Sequence, residues 1–484
     1  MRRSGSRGVD RVERALLTVL RPDQVKTDDA SLRVAARDAS LVRPTPPAVV
    51  CLAESHDDVV AMMTIAADLG VPVVPRGAGT GLAGGAVPSG GAIVVSTARM
   101  NRVLDVDRDN GSARVQPGVV NLDLDRLLRS TGFHFSPDPS SQQVCTLGGN
   151  VANNSGGPHC LAYGVTSAHV LAVRVVLVGG EVVDLGGDDP EPCGLDLRGA
   201  FIGGEGTLGI ATEITVAITP NPPVTRTLLL AYADMTSAAN TVSSIIAAGI
   251  VPAAMEVMDQ GIVRAIEQYV GAGYPTDAGA VLLVEVEGLE GGVAANEVAI
   301  RGIAERMGAT SIRTAVDEAE RALLWKGRKT AFGAVANIAP DYYLHDTVVP
   351  RARLASVLDE VASIGVRHRL MIVNVFHAGD GNLHPLIVFD RRDPGVLERV
   401  HEAGADIVRA SLAAGGVLSG EHGIGIEKQE FMSAMFTDDD LDHQNRLRRS
   451  FDPLGLSNPG KVLPSSHSCA DIQQLSSVPA GVWL

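Results

Sequence analysis

The chain has 484 residues, 45% hydrophobic and 20% charged, with a formal net charge of −15 at pH 7; this predicts two or more globular domains rather than a disordered chain. The acidic balance, with no basic run beyond Arg2, Arg3 and Arg7, argues against nucleic acid or an anionic membrane surface as partner. No apolar run reaches the roughly 18 residues of a transmembrane segment, residues 1–21 lack the apolar stretch of a signal peptide, and five scattered cysteines form no disulfide framework, so a reducing cytoplasm is the expected location.

In chain order, the pattern predicts a short helix over 11–20, a strand over 48–52 and an amphipathic helix over 56–69. Ser55 is its N-cap, Asp57 and Asp58 lie in its first turn, and Gly70 ends it. The apolar runs 71–74 and 92–95 read as strands flanking the loop 75–88, PRGAGTGLAGGAVP. Gly77, Gly79, Gly81, Gly84 and Gly85 allow close backbone approach, successive N–H groups form an anion-binding concavity, and Arg76 adds positive charge at its mouth. A diphosphate fits such a loop, although a mobile connection without a ligand has the same composition. A nicotinamide fingerprint does not fit. It requires the loop to open a helix and an acid about 20 positions on, whereas this loop runs into a strand and Arg99 to Asn101 offers no acid.

Strands over 102–106 and 112–115, joined at Asp109-Asn110-Gly111, predict a hairpin, and 121–128 suits a helix. The glycine-rich, polar section 137–164 shows little periodicity. Its Thr146, Asn150, Asn153, Asn154 and Ser155 supply neutral hydrogen-bonding groups suited to a heterocycle such as isoalloxazine. An ordinary polar loop is the alternative. Strands over 170–178 and 181–185 precede a third glycine cluster, FIGGEGTLGI at 201–210, and a strand over 212–218; Pro220, Pro222 and Pro223 then mark a domain boundary. Residues 225–365 alternate strand and helix, including a helix over 317–334, and predict a second α+β domain with a small antiparallel sheet backed by helices.

The section 369–389, RLMIVNVFHAGDGNLHPLIVF, reads as a β-hairpin that folds His377 back against His384. Converging neutral imidazoles suit a divalent metal, and a hydrogen-bonded structural pair is the equal alternative. After a helix over 407–413, the turn 415–425, GGVLSGEHGIG, offers Glu421 as an oxygen ligand and His422 as a base near neutrality; pairing of Glu421 with an arginine would be the plain reading. Arg328 is the candidate for gripping a substrate carboxylate, with a helix-surface charge as its alternative. Asp341, Tyr342, Tyr343 and Asp346 could carry polar contacts.

Taken together, PRGAGTGLAGG, TLGGNVANNSGG, GGEGTLGI, HAGDGNLHP, GEHGIG and Asn458-Pro459-Gly460-Lys461 resemble the vanillyl-alcohol oxidase/PCMH flavoprotein superfamily. Within it they are most similar to the branch of glycolate oxidase GlcD and the D-lactate and D-2-hydroxyglutarate dehydrogenases. The resemblance covers about residues 40–465. It implies an α+β fold with a two-part PCMH-type FAD domain over 1–221 and an inserted α+β cap domain over 222–430 that carries a metal site. A helical segment, 431–466, would return to the FAD domain, and 467–484 would be a loose tail.

By the same resemblance, Arg76, Gly77, Ala78, Gly79, Thr80 and Gly81 would hold the diphosphate of non-covalent FAD. Pro137, Asp138, Thr146, Gly149, Asn150, Asn153, Gly206 and Thr207 to Ile210 would line the flavin and adenosine portions, with Asn458 approaching from the returning segment. His377, His384 and Glu421 would hold a zinc-like divalent metal, and His422 would take the substrate hydroxyl proton. The implied reaction oxidises a small D-2-hydroxy acid, such as D-lactate or glycolate, to the 2-oxo acid, with hydride passing to flavin N5. Leu344 stands where some 2-hydroxyglutarate enzymes have lysine, which puts the five-carbon acid in doubt. The absence of His from 77–80 excludes a histidyl-flavin bond there.

The alternatives are the flavoprotein subunit of a multi-subunit glycolate oxidase-type complex, a same-fold flavin reductase or synthase without metal, and a zinc hydrolase using the same ligands. With no cysteine set for an iron–sulfur cluster, electrons would leave through an acceptor protein, a quinone or oxygen. A homo-oligomer is compatible with the sequence.

Overall fold

The computed structural model describes residues 5–187 and 194–464; the predicted tail 467–484 lies outside them. The chain divides into two compact units, the first from residues 1–155, 165–220 and 421–484, the second from 156–164 and 221–420.

In the first unit, Val49–Leu52, Ile93–Ser96 and Val73–Arg76 run parallel in that spatial order, with Val25–Lys26 antiparallel at the edge. Parallel strands need a long connection, and His56–Leu69 supplies the one from Val49–Leu52 to Val73–Arg76, the outer two of the three. Ser55 Oγ accepts from the Asp58 N–H at 3.1 Å, and Gly70 closes the helix at φ 63°. Val59, Met62, Met63 and Ala66 recur at helical spacing and are fully buried with Val49, Cys51, Val73, Ile93 and Val95. Because Ile93–Ser96 lies between the other two parallel strands, loop 75–88 leaves Val73–Arg76 at one edge and returns beside it. A five-stranded antiparallel sheet follows, in the order Val103–Asp107, Ser112–Val115, Ile210–Ala217, Val170–Val176 and Val182–Gly186.

Section 137–164 is more regular than expected. Leu147–Asn153 is a helix capped by Thr146, whose Oγ1 accepts from the Gly149 N–H at 3.3 Å. The two glycines that hide this helix in the sequence are needed for packing: a Cβ on Gly148 would lie 2.7 Å from the Pro117 Cβ. Cys160–Tyr163 adds a further turn, in the second unit.

The second unit is built on a nine-stranded antiparallel sheet. Val224–Tyr232, Ala280–Gly288, Ala254–Asp259 and Met371–His377 are consecutive neighbours, backed by helices including Met235–Ala247, Gln260–Tyr269 and Leu354–His368. The predicted helix over 317–334 breaks at Thr330 into Glu318–Lys329 and Ala331–Ala334. Val396–Ala413 begins eleven residues before the predicted 407. The strands Asp341–Leu344 and Thr347–Val348 escape the sequence pattern because tertiary pairing with Pro385–Phe389 and Asn382–Leu383 creates them.

Candidate active site

The loop after Val73–Arg76 presents mostly backbone. Gly79 and Gly84 have φ of 74° and 79°, in the left-handed region that glycine occupies without penalty. A Cβ on Gly77 would overlap Thr146 Oγ1, and one on Gly206 would overlap the Pro75 ring. Glycine at these four positions lets the loop pack directly on Thr146, Arg76, Val42 and Pro75, which leaves the loop presenting backbone rather than side chains to a ligand. Around it, Asn121 Nδ2 donates to the Pro137 carbonyl at 3.0 Å and to Asn150 Oδ1 at 3.2 Å. Asn458, buried at φ 41°, donates to the carbonyls of Gly85 (2.9 Å) and Glu205 (2.6 Å), while its Oδ1 has no partner. An unpartnered buried acceptor is the second sign that a ligand belongs here.

Arg76, expected to add positive charge at the mouth of the loop, is anchored by its own contacts. Its guanidinium donates to the Arg37 carbonyl at 2.8 Å and lies against Gly79, so a Cβ on Gly79 would overlap it. It braces the loop while adding positive charge. Ala78, Thr80, Gly81, Gly149 and Asn153 are partly exposed, whereas Asp138, Thr146, Asn150 and Ile210 are buried.

In the second unit, Met371–His377 and Pro385–Phe389 pair antiparallel, confirming the hairpin. Gly381 turns it at φ 73°, where a Cβ would overlap the Val349 carbonyl. The fold brings His377 and His384 together, with ring centroids 5.0 Å apart and planes 81° to each other, both rings buried. Ala254–Asp259 lies on the other edge of the first hairpin strand, with Glu256 directly opposite His377. That register puts Glu256 Oε1 2.8 Å from His377 Nδ1. A carboxylate acceptor there fixes the Nδ1–H tautomer and leaves Nε2 with its lone pair, the arrangement of metal-binding histidines. The residues present fit a divalent ion.

Arg328 stands behind this pair, 1% exposed. Its Nε and Nη2 meet Glu256 Oε2 at 2.6 and 2.5 Å. Burial alone would raise the Glu256 carboxyl, but Arg328 and His377 outweigh it and hold the group below the usual range. The expectation that Arg328 grips a substrate carboxylate two-pronged is thus revised, because that edge of its fork is occupied.

Asp346 accepts from Ser419 Oγ (2.6 Å) and from the Gly420 N–H (3.0 Å), and its Oδ1 lies 3.6 Å from His384 Nε2. Glu421 is one peptide bond further on. It belongs to the first unit, whereas the two imidazoles belong to the second. His422 Nε2 is 3.8 Å from Glu421 Oε1.

Sequence reasoning missed Glu256 and gave Asp346 no role. The available signal was an acid inside an apolar strand, as in AAMEVMD, since lone carboxylates are rarely buried without a partner. The same signal marks Glu285 in VLLVEVEG. Glu285 is clasped by both arms of Arg321 (2.7 and 2.9 Å) and by Trp325 Nε1 at 2.5 Å, with His159 Nε2 at 3.3 Å. Burial pushes this carboxyl up, but His159 and Arg321 bring it to about 2. It is a satisfied ion-pair network rather than a second metal site.

Residues 47–186 match the FAD binding domain family, and residues 221–462 match the FAD linked oxidases, C-terminal domain. The chain therefore belongs to the FAD-linked oxidases, enzymes that act on CH–OH donors, in the branch of glycolate oxidase GlcD and D-lactate dehydrogenase. It is 45% identical over 427 residues to the glycolate oxidase subunit GlcD of Escherichia coli K12, covering 88% of this chain and 86% of that one. It is 32% identical to a D-lactate dehydrogenase of Anaerostipes hadrus, covering 86% and 89%. Among solved structures, p-cresol methylhydroxylase with substrate bound superposes with a TM-score of 0.80 at 16% identity, covering 94% of this chain and 96% of that one, a likeness of fold. No described helix is long and apolar enough to cross a membrane.

Proposed function

We propose that the protein oxidises a small D-2-hydroxy acid, glycolate or D-lactate, to the corresponding 2-oxo acid. The observation that carries the reading is the buried His377–His384 pair with Glu256 on His377 Nδ1, a ligand set that a metal-free reductase or synthase of the same fold would not need. The relatives named for glycolate and D-lactate supply the substrate class.

In this mechanism the loop 75–88, Pro137, Asp138, Thr146, Gly149, Asn150, Asn153, Gly206, Ile210 and Asn458 hold FAD, and His377, His384 and Glu421 hold a divalent ion, zinc by donor type. When bound, FAD supplies the two-electron acceptor, and the ion supplies positive charge that makes a hydroxyl more acidic. His422 takes the hydroxyl proton as the carbonyl forms. Glu256, itself fixed by Arg328, keeps His377 in one tautomer and orientation, so Arg328 acts as a positioning residue. Because the E. coli relative is named a subunit, a second reading places this chain in a multi-subunit oxidase that passes electrons to a partner, a quinone or oxygen.

The test is a panel of D- and L-2-hydroxy acids with an artificial acceptor, with and without a chelator. Strict D-preference for the chiral acids, glycolate turnover and chelator sensitivity are expected; L-preference sinks the proposal. His422→Asn should lower kcat by about 10²–10⁴-fold, as loss of a general base does. A loss below about tenfold refutes that role.

A further inference from the structure

Glu205 lies inside the third glycine cluster, GGEGTLG, where the motif reading gives it no role. It is buried, 5% exposed, and adopts φ 49°, a left-handed conformation that side-chain-bearing residues keep only where their surroundings impose it. Surrounding contacts hold it there: its N–H donates to the Ala152 carbonyl at 2.8 Å, its carbonyl accepts from Asn458 Nδ2 at 2.6 Å, and its carboxylate meets the turn that carries His422. Oε1 accepts from the Ile424 N–H at 2.6 Å, and Oε2 from the Gly425 N–H at 2.8 Å. Gly423, at φ 86°, passes so close that a Cβ on it would lie 2.7 Å from Glu205 Oε1. On the preceding peptide, Asn153 Nδ2 donates to the His422 carbonyl at 2.8 Å.

The GEHGIG turn has little means of fixing itself. Gly423 and Gly425 both take positive φ, and consecutive N–H groups in such a turn form a concavity that favours an anion. In this turn the concavity is filled by a side-chain carboxylate, that of Glu205. We propose that Glu205 is the positioning residue of His422: by filling that concavity it fixes the backbone of 422–425 and so the place of the imidazole. This rests on His422 being the base. Misplacing a catalytic group by about 1 Å can lower a rate by about 10²-fold, so the effect should appear in the chemical step rather than in substrate binding.

The experiment is a double-mutant cycle on the FAD-loaded protein at pH 8, where the Glu205 carboxyl, pushed up to about 7 by burial, is mostly ionised. Flavin bleaching by D-lactate is followed anaerobically in wild type, Glu205→Gln, His422→Asn and the double variant. Glu205→Gln is expected to slow flavin reduction about 10- to 100-fold, with unchanged FAD content and apparent D-lactate affinity within about threefold. On the His422→Asn background it should add less than about twofold, because residues acting through one another are not additive. A wild-type rate in Glu205→Gln, or the same fold-loss on both backgrounds, overturns the proposal. A wild-type rate in His422→Asn instead removes the base assignment on which it rests, so the two failures are read apart. Should Glu205→Gln not fold, Glu205→Asp enters the same cycle: it keeps the charge but is one methylene short of spanning both N–H groups, and the same outcomes decide.

Discussion

The cofactor loops of the first unit and the histidine hairpin of the second recognise their guests by opposite means. In the first, the decisive atoms are ones the sequence omits: Gly77, Gly79, Gly84 and Gly206 have no Cβ to collide with Thr146, Arg76, Val42 and Pro75, so the loop packs closely on its neighbours. In the second, the decisive atoms are buried charges held in chain, from Arg328 to Glu256 to His377. The first arrangement is disturbed by adding a methyl group and the second by removing a carboxylate. On the proposed function the first would grip FAD, while the second would hold an ion beside the substrate.

The sharpest way to break this contrast is Glu256→Ala. It leaves the Arg328 guanidinium buried without its partner, a change worth about 3–5 kcal/mol in comparable buried pairs. The expected result is a marked loss of stability together with weaker binding of zinc, read by competition with a chromophoric chelator. FAD content should fall no more than the loss of folded protein explains. A variant with wild-type zinc affinity would show that the Nδ1 contact does not orient the ligand.

Gly206→Ala tests the other side. At φ 75°, with Pro75 in the path of a Cβ, alanine brings backbone strain on the order of 1–3 kcal/mol and pushes the chain into the cradle. FAD content of the purified protein should drop well below wild type while zinc affinity holds. Loss of zinc with retained FAD would reverse the assignment of the two regions.

What the sequence disclosed follows the same division. The glycine loop between strands was legible because a run such as GAGTGLAGG interrupts two apolar stretches, and the helix 56–69 because Ser55 and Gly70 mark its ends locally. The hairpin and its two histidines were legible from the short spacing of 377 and 384. Glu256 was not: it lies 121 positions from His377, and only the register of two sheet strands makes them opposite. Glu205 is 219 positions from Ile424 and sat unnoticed among glycines that drew attention for their backbone. For Arg328 the sequence suggested a substrate carboxylate, and it could not show that the buried Glu256 carboxylate meets two nitrogens of the fork.

A pH titration tests a buried carboxylate inside the first unit. Burial pushes the Glu205 carboxyl up to about 7, against an ordinary value of 4.5, with the N–H groups of Ile424 and Gly425 pulling it partly back. Between those values the folded protein keeps a proton that the unfolded chain has lost. This group's contribution to stability therefore falls as pH rises through that window, by about 3 kcal/mol in all, and is flat above it. Urea unfolding of wild type and Glu205→Gln across the window should show the glutamine variant lacking this term, so that the stability difference moves in its favour with rising pH. A difference independent of pH would mean that Glu205 stays ionised throughout.

The smallest expected effect is Ser55→Ala, at the start of the helix that connects the parallel strands. The hydroxyl satisfies the Asp58 N–H, and losing such a cap costs about 1 kcal/mol. The Asp58 carboxylate still accepts from the Glu54 N–H at 2.9 Å, and Val59, Met62, Met63 and Ala66 still bury the helix face. Most of the helix's stability is tertiary, so the midpoint of thermal unfolding should fall by only about 2–4 °C, with FAD content, zinc affinity and turnover unchanged. That outcome would place the sensitivity of the first unit in its glycine loops rather than in its scaffold. Loss of FAD on so local a change would mean that the cradle depends on the crossover helix, and that the contrast between an open backbone cradle and a charge-built metal centre is drawn too sharply.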